Sequence, residues 1–295
     1  MHICEVLEKL TKKYCLRFQR KEKFKVLFGL LRNVLLYTKW RLYKLLHGIN
    51  HTVIHYYAVC WNEEKMLPFM FQHYDSKVSQ YFIYDNGSTD ASHQIITNHP
   101  KTELIPFVTD GFNDEIQNAI KNECWKSSIG KADYVIVCDI DEFLYSPDID
   151  DLLSQLKKSN ISIPQSQGFD MCSIDFTEFQ KSLTLVDQLK TGVYNNDYSK
   201  CILFNPYKIV DINYEPGAHF CRPTGLISTS EQPLYNVLHY KNLGLDYVLE
   251  RARQYRLRMS DENISKGYAL QYLGEENTIK KRVSDQLQKA NIVIN

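Results

Sequence analysis

Two aspartates one residue apart, Asp139 and Asp141, close the run Tyr134-Val-Ile-Val-Cys-Asp-Ile-Asp141, and Glu142 and Phe143 follow at once. The run reads as a buried β-strand that opens onto two carboxylates. Residues i and i+2 of a strand face the same way, so both side chains reach one point. Two hard oxygen ligands on one face suit Mg2+ or Mn2+, above all an ion that also holds substrate phosphates. The ordinary alternative is a helix N-cap or turn cluster, because Asp favours both. A three-residue Asp-x-Asp also arises readily by chance, so the pair needs a second element beside it.

Asp85-Asn-Gly-Ser-Thr-Asp90 is that element. It follows the apolar run Tyr81-Phe-Ile-Tyr84. Gly87 permits a tight turn, and Ser88 or Thr89 can cap the next helix. A carboxylate at the end of a strand, here Asp85, can accept hydrogen bonds from a ribose hydroxyl or a base N–H. Taken alone the six residues are a strand-turn-helix junction. The pattern around both motifs predicts strands over 53–60, 81–84, 103–108 and 134–138. Helices are predicted between them, over 61–74 (with Pro68 near its start), 90–98 and 113–127. Strands alternating with helices build a parallel, doubly wound sheet. Ligands of such sheets bind beyond the carboxyl ends of the strands, which is the edge that Asp85 and Asp139 occupy. Beyond residue 150 the pattern gives a helix over 150–158 and a Gln/Ser/Pro-rich turn at 164–168. Short strands follow near 169–176, 201–204, 207–213 and 234–240, then an Arg-rich helical tail from Leu245. This half is expected to extend the same sheet and to build the acceptor side of a cleft. The organisation is an arm (1–50) and one α/β domain (51–295), with a nucleotide-binding half (51–150), an acceptor half (151–260) and a helical tail (261–295).

The order of strand, Asn62-Glu63-Glu64, strand, Asp85-Asn-Gly-Ser-Thr-Asp90, helix, strand, helix, strand and Asp139-Ile-Asp-Glu-Phe143 resembles the nucleotide-sugar glycosyltransferases of the GT-A fold. It looks nearest to the family 2-like branch whose metal motif reads Asp-x-Asp-Glu-Phe, and to its family 92 relatives. The resemblance covers most of the chain. It implies a GT-A, Rossmann-like, mostly parallel sheet with flanking helices, and a metal-dependent, inverting hexosyl transfer. The donor would be a nucleotide-diphosphate sugar and the acceptor a glycan or lipid-linked glycan, in cell-surface polysaccharide synthesis. It also implies roles. The first strand and its loop, through Ala58, Cys60, Asn62 and Glu63, cradle the base. Asp85, with Asn86 and Gly87, contacts the nucleoside, and Lys121 and Ile140 belong to the donor site. Asp139 and Asp141 hold Mn2+ or Mg2+ across the diphosphate. A histidine completes the metal shell, either His239 in Val-Leu-His-Tyr-Lys or His219 in Pro-Gly-Ala-His-Phe. His239 is preferred because it ends an apolar, strand-like run. The base that takes the acceptor proton is sought among Asp175, Glu178 and Glu142, since the Glu-Asp pair of many family 2 enzymes is missing. Lys200, Lys208, Lys241, Arg251, Arg253 and Arg256 are cations that could add to the stabilisation of the leaving diphosphate. For the Arg run, a solvated helix face is the alternative.

Composition sets the frame. The chain has 295 residues, 44% hydrophobic and 24% charged, with twenty Tyr and fourteen Phe, enough for one large core. Its net charge is zero but unevenly spread: residues 1–50 hold twelve Lys or Arg against three Glu. A basic, aromatic-bearing amphipathic arm fits an anionic membrane surface, or packing on the domain or in a partner with a solvated basic face. The acidic remainder argues against nucleic acid. Eight cysteines without a Cys-x-x-Cys pair argue against zinc ribbons and thioredoxin-type motifs. Cys60 and Cys138 are expected in the core. No secretory leader pattern and no long apolar stretch are evident, so a cytoplasmic protein, peripheral on the inner face of a membrane, is expected. Two other functions compete. A sugar nucleotidyltransferase usually carries a Gly-rich phosphate loop after the first strand, where this chain has Trp61-Asn-Glu-Glu64. A non-catalytic nucleotide- or glycan-binding module is the other.

Overall fold

The computed structural model describes residues 20–294. Helix α1 (Arg20–Leu46) leads into β1 (Ile54–Cys60), α2 (Leu67–Tyr74), β2 (Gln80–Asp85), α3 (Ser92–Asn98), β3 (Thr102–Pro106) and α4 (Asp114–Glu123). There follow β4 (Tyr134–Val137), β5 (Glu142–Tyr145), α5 (Ile149–Lys158), β6 (Ser166–Ser173), α6 (Leu185–Gln188), β7 (Thr191–Tyr194), β8 (Leu203–Phe204) and β9 (Ile209–Asp211). The last elements are β10 (Thr224–Gly225), β11 (Tyr235–Leu243), α7 (Leu245–Leu257), α8 (Asp261–Lys266), α9 (Glu276–Lys289) and β12 (Asn291–Ile292).

The first sheet has the order β3-β2-β1-β4-β8. Its first four strands are parallel and β8 runs antiparallel to β4. Every residue of β1 is buried, as expected of a central strand covered on both faces. Ala58 and Cys60 enter one core cluster with Tyr56, while Tyr57 enters the other with Trp125 and Phe204. The α/β class, with its parallel-rich sheets and flanking helices, is the one the sequence predicts.

The second half differs from its expectation. It lends only β8 to the first sheet, pairs β9 with β10 in a two-stranded sheet, and with β5 builds a further five-stranded sheet, β12-β7-β6-β11-β5. β11 pairs parallel to β6 and antiparallel to β5. Strand β12 closes that sheet on β7, where only helix was expected. Short strands interrupted by Gly, Pro and Asn leave sheet membership open to a pattern reading, because pairing depends on long-range register.

The link between the two sheets is the segment from Cys138 to Asp141, which joins the end of β4 to the start of β5. Buried tyrosines hold its backbone. Tyr56 OH donates to Asp139 O (3.3 Å) and Tyr74 OH to Glu142 O (3.2 Å), while Leu144 N donates to Tyr74 Oη (2.7 Å). Strands β1, β2 and β4 end on the same edge, with Cys60 opposite Asp85 and Tyr57 opposite Val137.

Helix α1 is packed on this body. Val26 and Leu30 bury against Val210. Asn33 donates to the carbonyls of Pro206 and Ile209 (3.4 and 3.0 Å). Asp133 ties the helix end down by accepting from Trp40 Nε1 (3.0 Å), Lys44 Nζ (2.6 Å) and Val53 N (2.9 Å). Residues 1–19 of the arm expected over residues 1–50 lie outside the described residues.

His55 of β1 is 8% exposed and lies 2.7 Å, through Nδ1, from Ser128 Oγ. Burial, aided by Lys131, lowers its pKa from 6.5 to about 4. The folded state therefore favours the neutral ring. The stabilisation is complete above the unfolded value near 6.5 and is lost as pH falls toward 4. At that end the loss attributable to His55 is roughly 3 kcal/mol. Urea unfolding between pH 7 and pH 4 should show a steeper fall in stability for the wild type than for His55→Gln.

Candidate active site

The register of β5, β11 and β6 sets three polar side chains in a row. His239 of β11 stands opposite Glu142 of β5 on one side and Asp170 of β6 on the other. Directly opposed residues project from the same face of a sheet. Asp170 Oδ1 lies 2.7 Å from His239 Nδ1. That contact fixes the ring and turns Nε2 toward Asp141, whose Oδ2 is 3.5 Å away. The Tyr198 ring stacks on the imidazole at 3.9 Å between centroids. Gly168 of β6 makes that stacking possible, since a Cβ there would collide with the Tyr198 backbone.

Around this row lies a cleft of about 540 Å3 at the carboxyl edge of the first sheet. Asp139 and Asp141 form part of its floor with Ile140, Lys121 and Lys200. Trp61, Phe112, Tyr247, Tyr255 and Tyr272 form an aromatic wall. Another part is built by residues 197–220, including Asp197, Glu215 and His219.

The charges are unequally matched. Lys121 Nζ is 2.5 Å from Asp139 Oδ1 and Lys200 Nζ is 3.6 Å from Asp139 Oδ2. Burial would raise the Asp139 pKa, but the two lysines hold it well below the usual carboxylate range. Lys200 also forms an ion pair with Glu142, which is 1% exposed. Burial opposes the charge on Lys200, yet Glu142 and Asp139 push its pKa upward. Asp141 is lowered against burial by His239. His239 in turn, despite burial, is raised to about 9 by Asp141 and Asp170. Lys241 is in no ion pair among the described residues and lies 4.6 Å from the Tyr272 ring centroid. Burial lowers its pKa.

These residues suit a divalent cation. The His239 nitrogen left free by Asp170 converges with the Asp141 carboxylate, with Asp139 beside them. A carboxylate bracing the far nitrogen is the usual support of a metal-ligating histidine. As they stand, no three His, Cys, Asp or Glu side chains among the described residues are gathered tightly enough to enclose an ion. Asp139 is engaged by Lys121, and His239 Nε2 faces Asp141 Oδ2.

The other residues singled out in the sequence fall into two groups. Ala58 and Cys60 are core residues, 1% exposed, and do not reach the cleft. Asn62, Glu63, Glu64 and the segment 85–92 interlock. Asn62 N donates to Ser88 Oγ (2.9 Å), Thr89 N to Asn62 Oδ1 (2.7 Å), Glu63 N to Ser92 Oγ (2.7 Å) and Ala91 N to Glu64 Oε2 (2.9 Å). The Asp85 carboxylate is buried and accepts from Ser88 N and Oγ (3.2 and 2.5 Å), and Asn86 Oδ1 accepts from Thr109 N (3.2 Å). Gly87 turns between them with φ +68°. Of this group only Glu63 lines the cleft, where it pairs with Arg251. Arg251 also donates to Asn62 O (2.6 Å) and Tyr255 Oη (3.0 Å), so it clamps the loop after β1.

Asp175 and Glu178 are exposed and outside the cleft wall. Glu142 lines it but is engaged by Lys200 and by Asp139 N, which donates to Oε2 (3.2 Å). His219 lines the wall built by 197–220, where Nδ1 lies 2.8 Å from Asp197 O. Lys208, Arg253 and Arg256 lie outside the cleft wall, bonded to Asn160, Glu276 and the carbonyls of Tyr272 and Gly274 respectively. Sequence reasoning missed Asp170 and Tyr198. An acidic residue inside the strand-like run Gly168-Phe-Asp-Met-Cys172 was the available signal for Asp170.

No protein-family model matches the chain, and no curated protein does. Among solved structures it is similar to S. aureus TarS, at 12% identity and a TM-score of 0.36, over 80% of this chain and 43% of that one. A TarS fragment, 1–349, aligns at 10% identity and 0.35, over 80% and 71%. Glucosyl-3-phosphoglycerate synthase from Mycobacterium tuberculosis, in complex with Mn2+, UDP and glucosyl-3-phosphoglycerate, aligns at 16% and 0.25, over 40% and 44%. This chain thus spans less than half the length of the full TarS chain. At these scores no residue role and no activity carries across.

The Lys200–Glu142 pair yields a stability test. Lys200→Met leaves a buried carboxylate unpaired, which costs about 3–5 kcal/mol. Urea unfolding should register that loss, and Lys200→Met combined with Glu142→Gln should recover most of it.

Proposed function

We propose that the chain is a metal-dependent glycosyltransferase acting on a nucleotide-diphosphate sugar. The observation that carries this reading is the convergence of Asp139, Asp141 and an Asp170-braced His239 in a cleft that also holds Lys121, Lys200 and Lys241. Asp141 and His239 Nε2 would hold Mn2+ or Mg2+, with Asp139 adjoining. When bound, the ion acts as a Lewis acid toward the departing diphosphate. Lys241, which has no carboxylate partner among the described residues, is free to meet a phosphate. Lys121 and Lys200 keep Asp139 ionised and place positive charge along the same edge. Trp61, Tyr255 and Tyr272 offer flat faces for a base or sugar to stack on.

The transfer is read as inverting and hexosyl, onto a glycan or lipid-linked glycan at the cytosolic side of a membrane, in surface polysaccharide synthesis. An inverting transfer needs a carboxylate to take the acceptor proton. Asp197 and Glu215 line the cleft and Asp175 and Glu178 do not, so the base is better sought in the wall built by 197–220. A nucleotidyltransferase is disfavoured by the turn after β1, where side chains of Asn62 and Glu64 fill the place of a Gly-rich phosphate loop.

Two measurements test the proposal. A panel of nucleotide sugars with Mn2+ should reveal one that is turned over, and Asp141→Asn should reduce that turnover to background. Full turnover in the variant overturns the assignment. Asp170→Asn, which leaves both ligand atoms in place, should weaken Mn2+ affinity by about 10–100-fold, with activity restored by excess Mn2+. Pyrophosphate release from a sugar phosphate and a nucleoside triphosphate would instead favour the nucleotidyltransferase.

A further inference from the structure

Helix α1 is apolar on two opposite faces, and only one of them meets the body. Successive residues turn about 100° around a helix. Val26, Asn33 and Trp40, seven apart, therefore share the face that is buried. Phe24, Phe28, Leu35 and Leu42 fall on the opposite side and are exposed at 70, 74, 65 and 56%. Leu31 lies between them on the same stripe. At about 1.5 Å per residue, a stripe from Phe24 to Leu42 is roughly 27 Å long. A run of large side chains of this length is not scattered surface apolarity but a patch that marks an interaction site.

The flanks of the stripe identify the occupant. Residues 23–50 contain six Lys or Arg and no Asp or Glu. Two of the six are spent on the body: Lys25 pairs with Asp211 (2.8 Å) and Lys44 with Asp133 (2.6 Å). The other four, Lys23 and Arg41 on one margin and Arg32 and Lys39 on the other, are exposed and in no ion pair among the described residues. An apolar stripe between two basic margins is the form of a helix that lies in a bilayer interface, with its side chains in the acyl boundary and its cations among anionic headgroups. A second copy of the helix fits less well, because each basic margin would face another with no acid to separate them.

We infer that the outer face of α1 is a docking surface for an anionic phospholipid bilayer, while its inner face holds the α/β body. No helix among the described residues is long and apolar enough to cross a membrane, so the contact is with the surface. The inference does not rest on the glycosyltransferase reading, since vesicle binding is measured without donor or metal.

The test is sedimentation of the full chain with vesicles of phosphatidylcholine alone and with about a third phosphatidylglycerol. The chain should pellet with the anionic vesicles, less so at high salt. Phe28→Ser/Leu35→Ser/Leu42→Ser changes only exposed side chains, so its thermal unfolding should match wild type. Its affinity for the anionic vesicles should fall at least about tenfold, since three large apolar side chains are withdrawn from the acyl boundary. Arg32→Glu/Lys39→Glu should remove the preference for anionic lipid. Two results overturn the inference: no pelleting with either vesicle, or a wild-type dimer that the triple variant dissociates while vesicle binding stays absent. The second would assign the stripe to another copy of the chain.

Discussion

Cross-strand register is the constraint on which the site depends. Glu142, His239 and Asp170 lie abreast on β5, β11 and β6, and each does a different task. Glu142 anchors Lys200 beneath the cleft, His239 faces Asp141, and Asp170 sets the ring. A slip of one residue in β11 would turn the histidine to the other face of the sheet. The apolar neighbours guard against that slip. Leu238 and Tyr240, on either side of His239, are fully buried, and a shift would carry them into the cleft. Hydrophobic patterning thus holds a polar arrangement that it does not itself contain.

This dependence explains what could be read in the sequence. The first half was legible because β1 and β4 are buried runs, β2 alternates half-buried and buried residues, each leads to an Asp or Asn, and their helices lie between them in order. The Asp139–Asp141 pair was legible for the same reason, as the exit of a buried strand. Asp170 and Tyr198 were not. Their roles come from β6 lying next to β11, across nearly seventy residues of sequence, and from Gly168 allowing the turn at Asn196–Tyr198 to rest on the sheet. Asp85 shows the local side of the same matter. An acid at a strand end invites a ligand role, and here one of its oxygens, Oδ1, accepts from both Ser88 N and Ser88 Oγ. The local motif describes a turn that folds itself as well as it describes a binding residue.

The arm shows how a helix can mislead a periodicity reading. Packing on the domain and lying on a membrane were alternatives when only one apolar face was considered. The helix has two, separated by basic margins. Its inner face is specified by contacts that apolar residues alone could not make: the buried Asn33 amide on two carbonyls, and Asp133 collecting three donors. Directional bonds choose which face goes in, and the remaining one stays available.

The two aspartates of the pair are not equivalent, and the difference follows from their neighbours. Asp139 lies between Lys121 and Lys200, so its charge is largely answered within the protein. Asp141 is answered by one imidazole, whose other nitrogen is already held by Asp170. Under the proposed function, a cation entering the cleft would gain most where negative charge is least compensated, which is at Asp141. Asp139 then serves two purposes. It would add to the field that draws a cation in, and it holds Lys121 and Lys200, which under the proposed function would meet the phosphates. The spacing of one residue matters for this reason: it sets a histidine-facing carboxylate and a lysine-facing carboxylate side by side on one edge of the sheet, so that under the proposed function a cation and a phosphate would bind next to each other.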